Sequence, residues 1–234
     1  MCSSDLARTT QRLGLGASGE STPMLSVRGV TRDVLDAVLA RVPGLAGEHA
    51  VTVGVVNGRQ AHILSGRPAD LERVVTALEQ AAARSAEDRK ERRRGGAVLA
   101  PVTEFLATSV PFHTPLLEQA VTDVVAWAER CGIDTGLARE LAVAVLIDPV
   151  DWPALVTQAL AKADGARLVL DLGPGTVLAR LTEAVVAGTG TSVVAAGTAR
   201  ALDDLDRPGA APAPSVDRSD RKSTRLNSSH VKLS

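Results

Sequence analysis

The chain has 234 residues, of which 45% are hydrophobic and 2% aromatic, with no tyrosine. This is enough for one full domain or two small ones, and a formal net charge of −1 argues against a polyanion-binding protein. Apolar runs stay below the roughly 18 residues of a membrane helix, and two cysteines, Cys2 and Cys131, cannot form a disulfide framework. We therefore expect a cytoplasmic protein without membrane or nucleic-acid partners.

Both ends of the sequence resemble a translated sequencing adapter. Residues 220–234 begin with Asp-Arg-Lys-Ser-Thr-Arg-Leu-Asn-Ser-Ser, and residues 1–6 contain Cys-Ser-Ser-Asp, which the reverse complement of the same adapter encodes. A disordered polar tail would explain the composition but not the matched pair. We expect both segments to be artefacts flanking an incomplete natural segment, so Cys2 and His230 are not site candidates.

The segment 24–110 shows a β-α-β-β-α-β order of elements. Apolar residues spaced by three and four predict helices after Thr31 and Pro68. Asn57-Gly58, a pair typical of tight turns, separates two β-branched runs and predicts a hairpin. We expect strands at 24–27, 51–56, 61–65 and 104–108. This order is that of the ferredoxin-like fold.

The pattern changes in the segment 111–200, where helices alternate with strands. Helices are predicted from 116 to about 131, over 135–147 and 152–163, and from 176 to about 187; strands are predicted at 168–172 and 192–196. Such alternation is typical of a parallel sheet covered by helices. The fold class is therefore α/β, with a ferredoxin-like subdomain followed by a parallel-sheet subdomain. Residues 7–23 are expected to be a loop, and the Ala- and Pro-rich residues 201–219 a linker.

Three histidines remain as candidates for chemistry, and no cluster of them has metal-ligand spacing. His49 lies in a Gly-Glu-His loop, and His62 alternates within a predicted strand, where we expect it at the surface or an edge. His113 lies between a strand and an amphipathic helix, on the connection between the two subdomains. Catalytic groups often occupy such loops, and imidazole titrates near neutral pH, although a structural role stays open.

Two further motifs favour ordinary structural roles. Gly173-Pro174-Gly175-Thr176 could offer backbone N–H groups to an anion, but it lacks a phosphate-loop spacing and a lysine, which favours a tight turn with Thr176 as N-cap. The basic run 84–94 contains acidic residues and no aromatic side chain to stack on bases, which favours a solvated helix end.

Four motifs in order resemble the acyl-CoA:acyl-carrier-protein transacylases over residues 24–199. The residues that carry the resemblance are the Asn57 hairpin, Val110–Leu117 around His113, Asp148–Trp152 and the 170–175 turn. The stretch 24–30 and the Trp127 and 148–152 region are most similar to the acyltransferase domain of bacterial type I fatty acid synthases. The resemblance implies that the second subdomain is the C-terminal part of an α/β-hydrolase-like subdomain.

The resemblance also implies a mechanism and its residues. A serine in a Gly-His-Ser-x-Gly elbow attacks the acyl-CoA thioester, and the phosphopantetheine thiol of acyl carrier protein then takes the acyl group. His113 would be the general base and acid, the Val145 carbonyl would fix its tautomer, and Asn57 would lie near the substrate channel, unless it serves only its turn. No other cofactor or metal is implied. The implied partners are acyl carrier protein and the other domains of a multienzyme synthase.

The sequence contains no Gly-x-Ser-x-Gly elbow, since Gly16-Ala17-Ser18-Gly19 is too short. We expect the nucleophile to lie upstream of this chain, so that the fragment transfers no acyl group alone and exposes unpaired helix faces that favour aggregation. Three alternatives stay open: a polyketide synthase domain, a stand-alone malonyl transacylase, and a non-catalytic ferredoxin-like binding module. Acetyl and malonyl or palmitoyl groups are all possible substrates.

Overall fold

The computed structural model of the chain describes residues 10–11, 14, 21–45, 51–92, 99–163, 165, 168–173 and 175–197. Its helices are α1 (Arg32–Leu39), α2 (Pro68–Arg92), α3 (Glu118–Arg130), α4 (Thr135–Leu146), α5 (Trp152–Lys162) and α6 (Val177–Val186). Its strands are β1 (Met24–Arg28), β2 (Val51–Gly58), β3 (Ala61–Gly66), β4 (Val102–Phe105), β5 (Val150–Asp151), β6 (Leu168–Asp171) and β7 (Ser192–Ala195). No helix of this described part is both long and apolar enough to cross a bilayer.

The first four strands form an antiparallel sheet in the order β4-β1-β3-β2, and β5 extends it in parallel beside β2. This order, with α1 and α2 as the crossovers, is the ferredoxin-like arrangement. The predicted α/β class and its ferredoxin-like part are confirmed. The two-residue strand β5 was not predicted, because Pro-Val-Asp-Trp is too short to show a strand period.

The strands bury one face against the helices because their apolar residues alternate with polar ones. In β3, His62 and Leu64 point to the same face, and both are almost fully buried. They belong to a core with residues of β1, β2, α1 and α2. The apolar members of this core are Leu25, Val27, Val30, Leu35, Val38, Val42, Leu45, Val53, Leu64, Leu71, Val74 and Leu78.

The hairpin between β2 and β3 differs from its prediction. Asn57 and Gly58 are part of β2, and Gly58 pairs with Ala61, so the turn is formed by residues 59 and 60. The register shifts between Val53 and Val55 and again between Val56 and Gly58, which makes Gly54 and Asn57 the extra residues of two bulges. The prediction of an Asn-Gly turn is therefore wrong, because the second bulge lengthens the strand beyond that pair.

Helices α3 and α4 pack on each other and enclose a second apolar cluster. Its buried members are Val110, Leu117, Ala120, Val121, Ala142 and Leu146. The opposite side of α4 is apolar but exposed: Leu137, Leu141 and Val145 are each more than half accessible. The basic run 84–94 continues α2 to Arg92, and Arg84 and Lys90 are exposed, as expected of a solvated helix end.

The chain divides into two compact units, Met1–Gly165 and Ala166–Ser234. In the second unit β6 precedes α6 in the sequence and β7 follows it, and the two strands pair in parallel, in agreement with the predicted β-α-β pattern. The division follows α5 because β5 adds the preceding segment to the ferredoxin-like sheet. The subdomain boundary between residues 110 and 111, which was placed where the pattern of elements changes, stays a prediction.

Candidate functional site

His113 lies on the loop between β4 and α3, in a backbone conformation that is rare for a side-chain-bearing residue. Its φ is +60°, and it is the one non-glycine residue of the described chain with a positive φ. Such a conformation costs about 1–3 kcal/mol. Thr114 follows in an extended conformation, which Pro115 favours, and caps the 3₁₀ turn Pro115–Leu117 by accepting a hydrogen bond from the Leu116 N–H. The loop therefore holds a strained residue next to a rigid cap.

The imidazole of His113 has a fixed backbone partner. Its Nδ1 lies 2.8 Å from the carbonyl oxygen of Asp148. A carbonyl only accepts hydrogen bonds, so Nδ1 must carry the proton and donate it. In the neutral ring, Nε2 is then left with its lone pair and can accept a proton. The half-buried His113 thus has the protonation pattern of a general base.

The carbonyl that contacts His113 is that of Asp148, not that of Val145 as predicted. Val145 lies in the last turn of α4 with an exposed side chain. The Leu146 carbonyl, which ends that helix, accepts a hydrogen bond from the Thr114 N–H at 3.0 Å. This bond places His113 beyond the helix end, opposite the segment that leads to β5. The resemblance could not reveal this, because the path of the backbone after α4 depends on the pairing of β5 with β2.

Asn57 lies at the second β2 bulge and is half-buried. The bulge is beside β5, since Val55 and Val56 pair with Val150 and Asp151. No hydrogen bond among the described residues joins Asn57 to His113. Its role near a substrate channel therefore stays a prediction.

Sequence reasoning missed the ferredoxin-like residues that touch the His113 loop. The Ser65 hydroxyl donates to the Phe112 carbonyl at 2.5 Å. A side chain at Gly54 would place its Cβ 3.1 Å from the Cβ of His113. The available signal was an isolated glycine inside a β-branched strand, which is typical of a bulge or of close backbone contact.

The other histidines do not join this site. His62 is 1% exposed, which corrects the expectation of a surface or edge position; its place on the core face of β3 explains the burial. Its Nε2 lies 3.1 Å from the Val30 carbonyl, and Nδ1 has no partner among the described residues. Burial lowers the pKa of His62 below 6.5, against the opposing effect of the Val30 carbonyl. His49 and His230 lie outside the described residues.

The turn before α6 has an acidic cap. The Asp171 carboxylate accepts hydrogen bonds from the N–H groups of Gly173 and Ala179, both at 2.9 Å. Thr176 occupies the N-cap position but makes no capping bond with its side chain. Because a carboxylate already occupies this helix start, an anion would meet repulsion there, in keeping with the predicted structural turn.

Other parts of the described chain add little to the site. Cys131 is an exposed free thiol, and no group of three metal-ligating side chains clusters among the described residues. A cavity of about 500 Å³ between α1 and α2 does not include His113; it is lined by four apolar residues, by Thr76 and Gln80, and by Arg41, Arg73 and Arg84.

Comparison with known proteins gives a family match in the first half of the chain. Residues 23–105 match the model of the fatty acid synthase central AT domain. Two curated relatives come from Emericella nidulans. The chain is 28% identical to the fatty acid synthase beta subunit stcK over 209 residues, and 28% identical to the beta subunit aflB over 201 residues. Each alignment covers 76% of this chain but only 10% and 9% of the relative.

Solved structures share the fold over most of the chain. A malonyl-CoA:acyl carrier protein transacylase from Xanthomonas oryzae superposes with a TM-score of 0.60 at 23% identity, covering 86% of this chain and 60% of that one. A malonyl-transacylase in complex with a type II polyketide synthase acyl-carrier protein gives 0.59 at 20% identity, covering 85% and 62%. An acyl carrier protein S-malonyltransferase from Vibrio cholerae gives 0.59 at 18%, covering 86% and 64%. The chain thus spans about three fifths of the solved chains and a tenth of the curated relatives.

Proposed function

The chain carries an acyltransferase domain of the fatty acid synthase type, and from that premise we propose that it takes part in transferring an acyl group from acyl-CoA to acyl carrier protein. The proposal covers acetyl, malonyl and palmitoyl groups alike. The acyl acceptor is the phosphopantetheine thiol of the carrier protein. This assignment of partner draws on the solved malonyl-transacylase that was captured with its acyl-carrier protein.

The observation that carries the proposal is the hydrogen bond between His113 Nδ1 and the Asp148 carbonyl. It leaves Nε2 as the basic nitrogen, and a serine hydroxyl needs such a base because it is a poor nucleophile when neutral. A carbonyl fixes the tautomer without adding a charge, whereas many hydrolases use a carboxylate for the same purpose. The loop position of His113, between a strand and a helix cap, keeps this geometry rigid.

The proposed reaction has two half-reactions that use the same imidazole. In the first, Nε2 takes the serine proton as the oxygen attacks the thioester carbonyl, and the tetrahedral adduct expels the CoA sulfur, which receives that proton. In the second, Nε2 takes the proton of the phosphopantetheine thiol, whose sulfur attacks the acyl-serine ester; the serine oxygen leaves and is reprotonated. We place the serine in a segment of the parent protein outside these 234 residues.

Labelled acyl-CoA tests this proposal in two arms. The 234-residue chain alone should form no labelled acyl-enzyme, because the sequence lacks the serine elbow. The same chain joined to the upstream segment of its own gene should transfer label to acyl carrier protein. In that longer protein, His113→Ala should lower the rate by about 10²–10⁴-fold, the usual share of a general base.

The matched control is Cys131→Ala in the longer protein, since this thiol is exposed at the end of α3, and its rate should equal that of the wild type. An unchanged rate in His113→Ala would contradict the proposal. The ferredoxin-like unit would then be a binding module with a structural histidine.

A further inference from the structure

His113 is strained, yet the Nδ1 contact with Asp148 requires it to stay in one conformation. A residue at φ +60° relaxes to a negative φ unless its neighbours prevent it. Rotation of the backbone at this position would move the ring away from the Asp148 carbonyl. The contacts that hold the loop are therefore part of the geometry of the imidazole, although they do not touch its nitrogens.

The face of the ferredoxin-like sheet opposite the core contacts the loop at three adjacent positions. Ser65 is fully buried and donates its hydroxyl to the Phe112 carbonyl at 2.5 Å. Its neighbour across the hairpin, Thr52, shares a hydrogen bond of 3.2 Å with the buried hydroxyl of Thr114. These two bonds hold the residues immediately before and after His113.

Gly54 provides the space that this packing needs. A Cβ at Gly54 would lie 3.0 Å from the His113 carbonyl oxygen, 3.1 Å from the His113 Cβ and 3.0 Å from the Ser65 hydroxyl oxygen. All three distances are shorter than ordinary van der Waals contacts. The bulge at Gly54 lets the backbone of β2 approach the loop, so a side chain there would require His113 or Ser65 to shift.

We propose that Ser65 and Gly54 are positioning residues that hold the Nδ1–H tautomer of His113. Ser65 ties the peptide before the imidazole to β3, and Gly54 admits the loop close enough for that bond to form. When the His113 ring is neutral and held as the Nδ1–H tautomer, its Nε2 carries no proton. The catalytic meaning of this device rests on the proposed acyl transfer, but the tautomer can be measured without it.

The experiment is ¹⁵N NMR of the full 234-residue chain labelled at its histidines, with His113→Gln assigning the signal; magic-angle spinning serves if the chain aggregates. The ratio of Nδ1–H to Nε2–H in neutral His113 should fall by about fivefold or more in Ser65→Ala and in Gly54→Ala, since one hydrogen bond is lost or displaced. The control Ser26→Ala, on β1 and without a hydrogen bond to the loop, should keep the wild-type ratio.

His62 reports in the same spectra whether each variant is folded, because its Nε2 contact with the Val30 carbonyl exists only in the folded core. Should Ser65→Ala lose that signal, Ser65→Cys decides the matter, since a thiol has a similar shape but is a weaker donor. An unchanged His113 ratio in folded Ser65 and Gly54 variants would overturn the proposal. In the longer protein, Ser65→Ala should lower kcat with little change in KM.

The two proposals fail in different ways. If the Ser65 and Gly54 variants change the tautomer ratio but His113→Ala leaves acyl transfer unaffected, the proposed function fails and the positioning role stands. An unchanged tautomer together with impaired acyl transfer by His113→Ala would do the reverse.

Discussion

Two histidines on opposite sides of one sheet have opposite ring chemistry. His62 points into the core and its Nε2 faces the Val30 carbonyl, whereas His113 lies on the other side and its Nδ1 faces the Asp148 carbonyl. Because a carbonyl accepts only, the neutral rings are the Nε2–H and the Nδ1–H tautomers respectively. In each ring the nitrogen that faces a backbone carbonyl carries the proton, so the other nitrogen is left basic, and no carboxylate is involved.

Burial then decides whether that basic nitrogen can act. The free Nδ1 of His62 is enclosed in the core without a partner among the described residues, so it meets no substrate. His113 is half-buried on a loop, where a reacting group can reach it. Strand β3 joins the two environments, since Leu64 faces the His62 side and Ser65 the His113 side.

The largest effect on stability is expected from a substitution in the core that contains His62. Leu64 is fully buried next to His62, so Leu64→Ala should lower the free energy of unfolding by about 2–5 kcal/mol. Urea denaturation followed by circular dichroism measures this. The matched control is Leu141→Ala on α4, where the side chain is 57% exposed and the loss should stay within about 0.5 kcal/mol. Equal losses would show that the described core is wrong.

A smaller effect on stability is expected when the pH is lowered. Burial lowers the pKa of His62 below its value of 6.5 in the unfolded chain, so the unfolded state binds this proton more tightly. Stability is full above pH 6.5 and is lost as the pH falls through 6.5 towards the lower pKa of the folded state. The urea midpoint should therefore be lower at pH 5 than at pH 7.5.

The control for this pH effect is a pair of variants. His62→Leu should remove most of the difference between the two midpoints, and His113→Gln should retain it. A pH dependence that persists in His62→Leu but disappears in His113→Gln would reverse the roles assigned to the two rings.

The smallest effect is expected at the two residues considered as partners of His113. Asp148 offers only its backbone carbonyl, and Val145 lies on the exposed side of α4. Asp148→Asn and Val145→Ala should therefore change the His113 tautomer ratio by less than about twofold, well under one ordinary hydrogen bond. A large change in Asp148→Asn, measured by histidine NMR, would show that the Asp148 side chain, and not its backbone carbonyl alone, holds the ring.

The sequence was informative wherever a single period or a single motif decided the structure. The helices, the order of the ferredoxin-like strands and the position of His113 on a loop all followed from spacing. The prediction of a turn at Asn57-Gly58 was wrong because a bulge depends on the pairing of two strands. The prediction of Val145 as the partner of His113 was wrong because the path of the chain after α4 depends on the pairing of β5 with β2.

The predicted surface or edge position of His62 was wrong for another reason. Alternation within a strand fits either face, so the pattern that predicts a surface or edge position for His62 does not exclude the core face. In the structure one nitrogen pairs with the Val30 carbonyl, which offsets part of the cost of burial. A side-chain partner distant in sequence cannot be read from local alternation.

The most direct test of this account is the ¹⁵N spectrum of the unmodified chain at a pH where both rings are neutral. We expect His113 predominantly as the Nδ1–H tautomer and His62 predominantly as the Nε2–H tautomer, in one sample. If His113 shows predominantly the Nε2–H form, the Asp148 contact does not hold the ring, and its assignment as the base of an acyl transfer is contradicted.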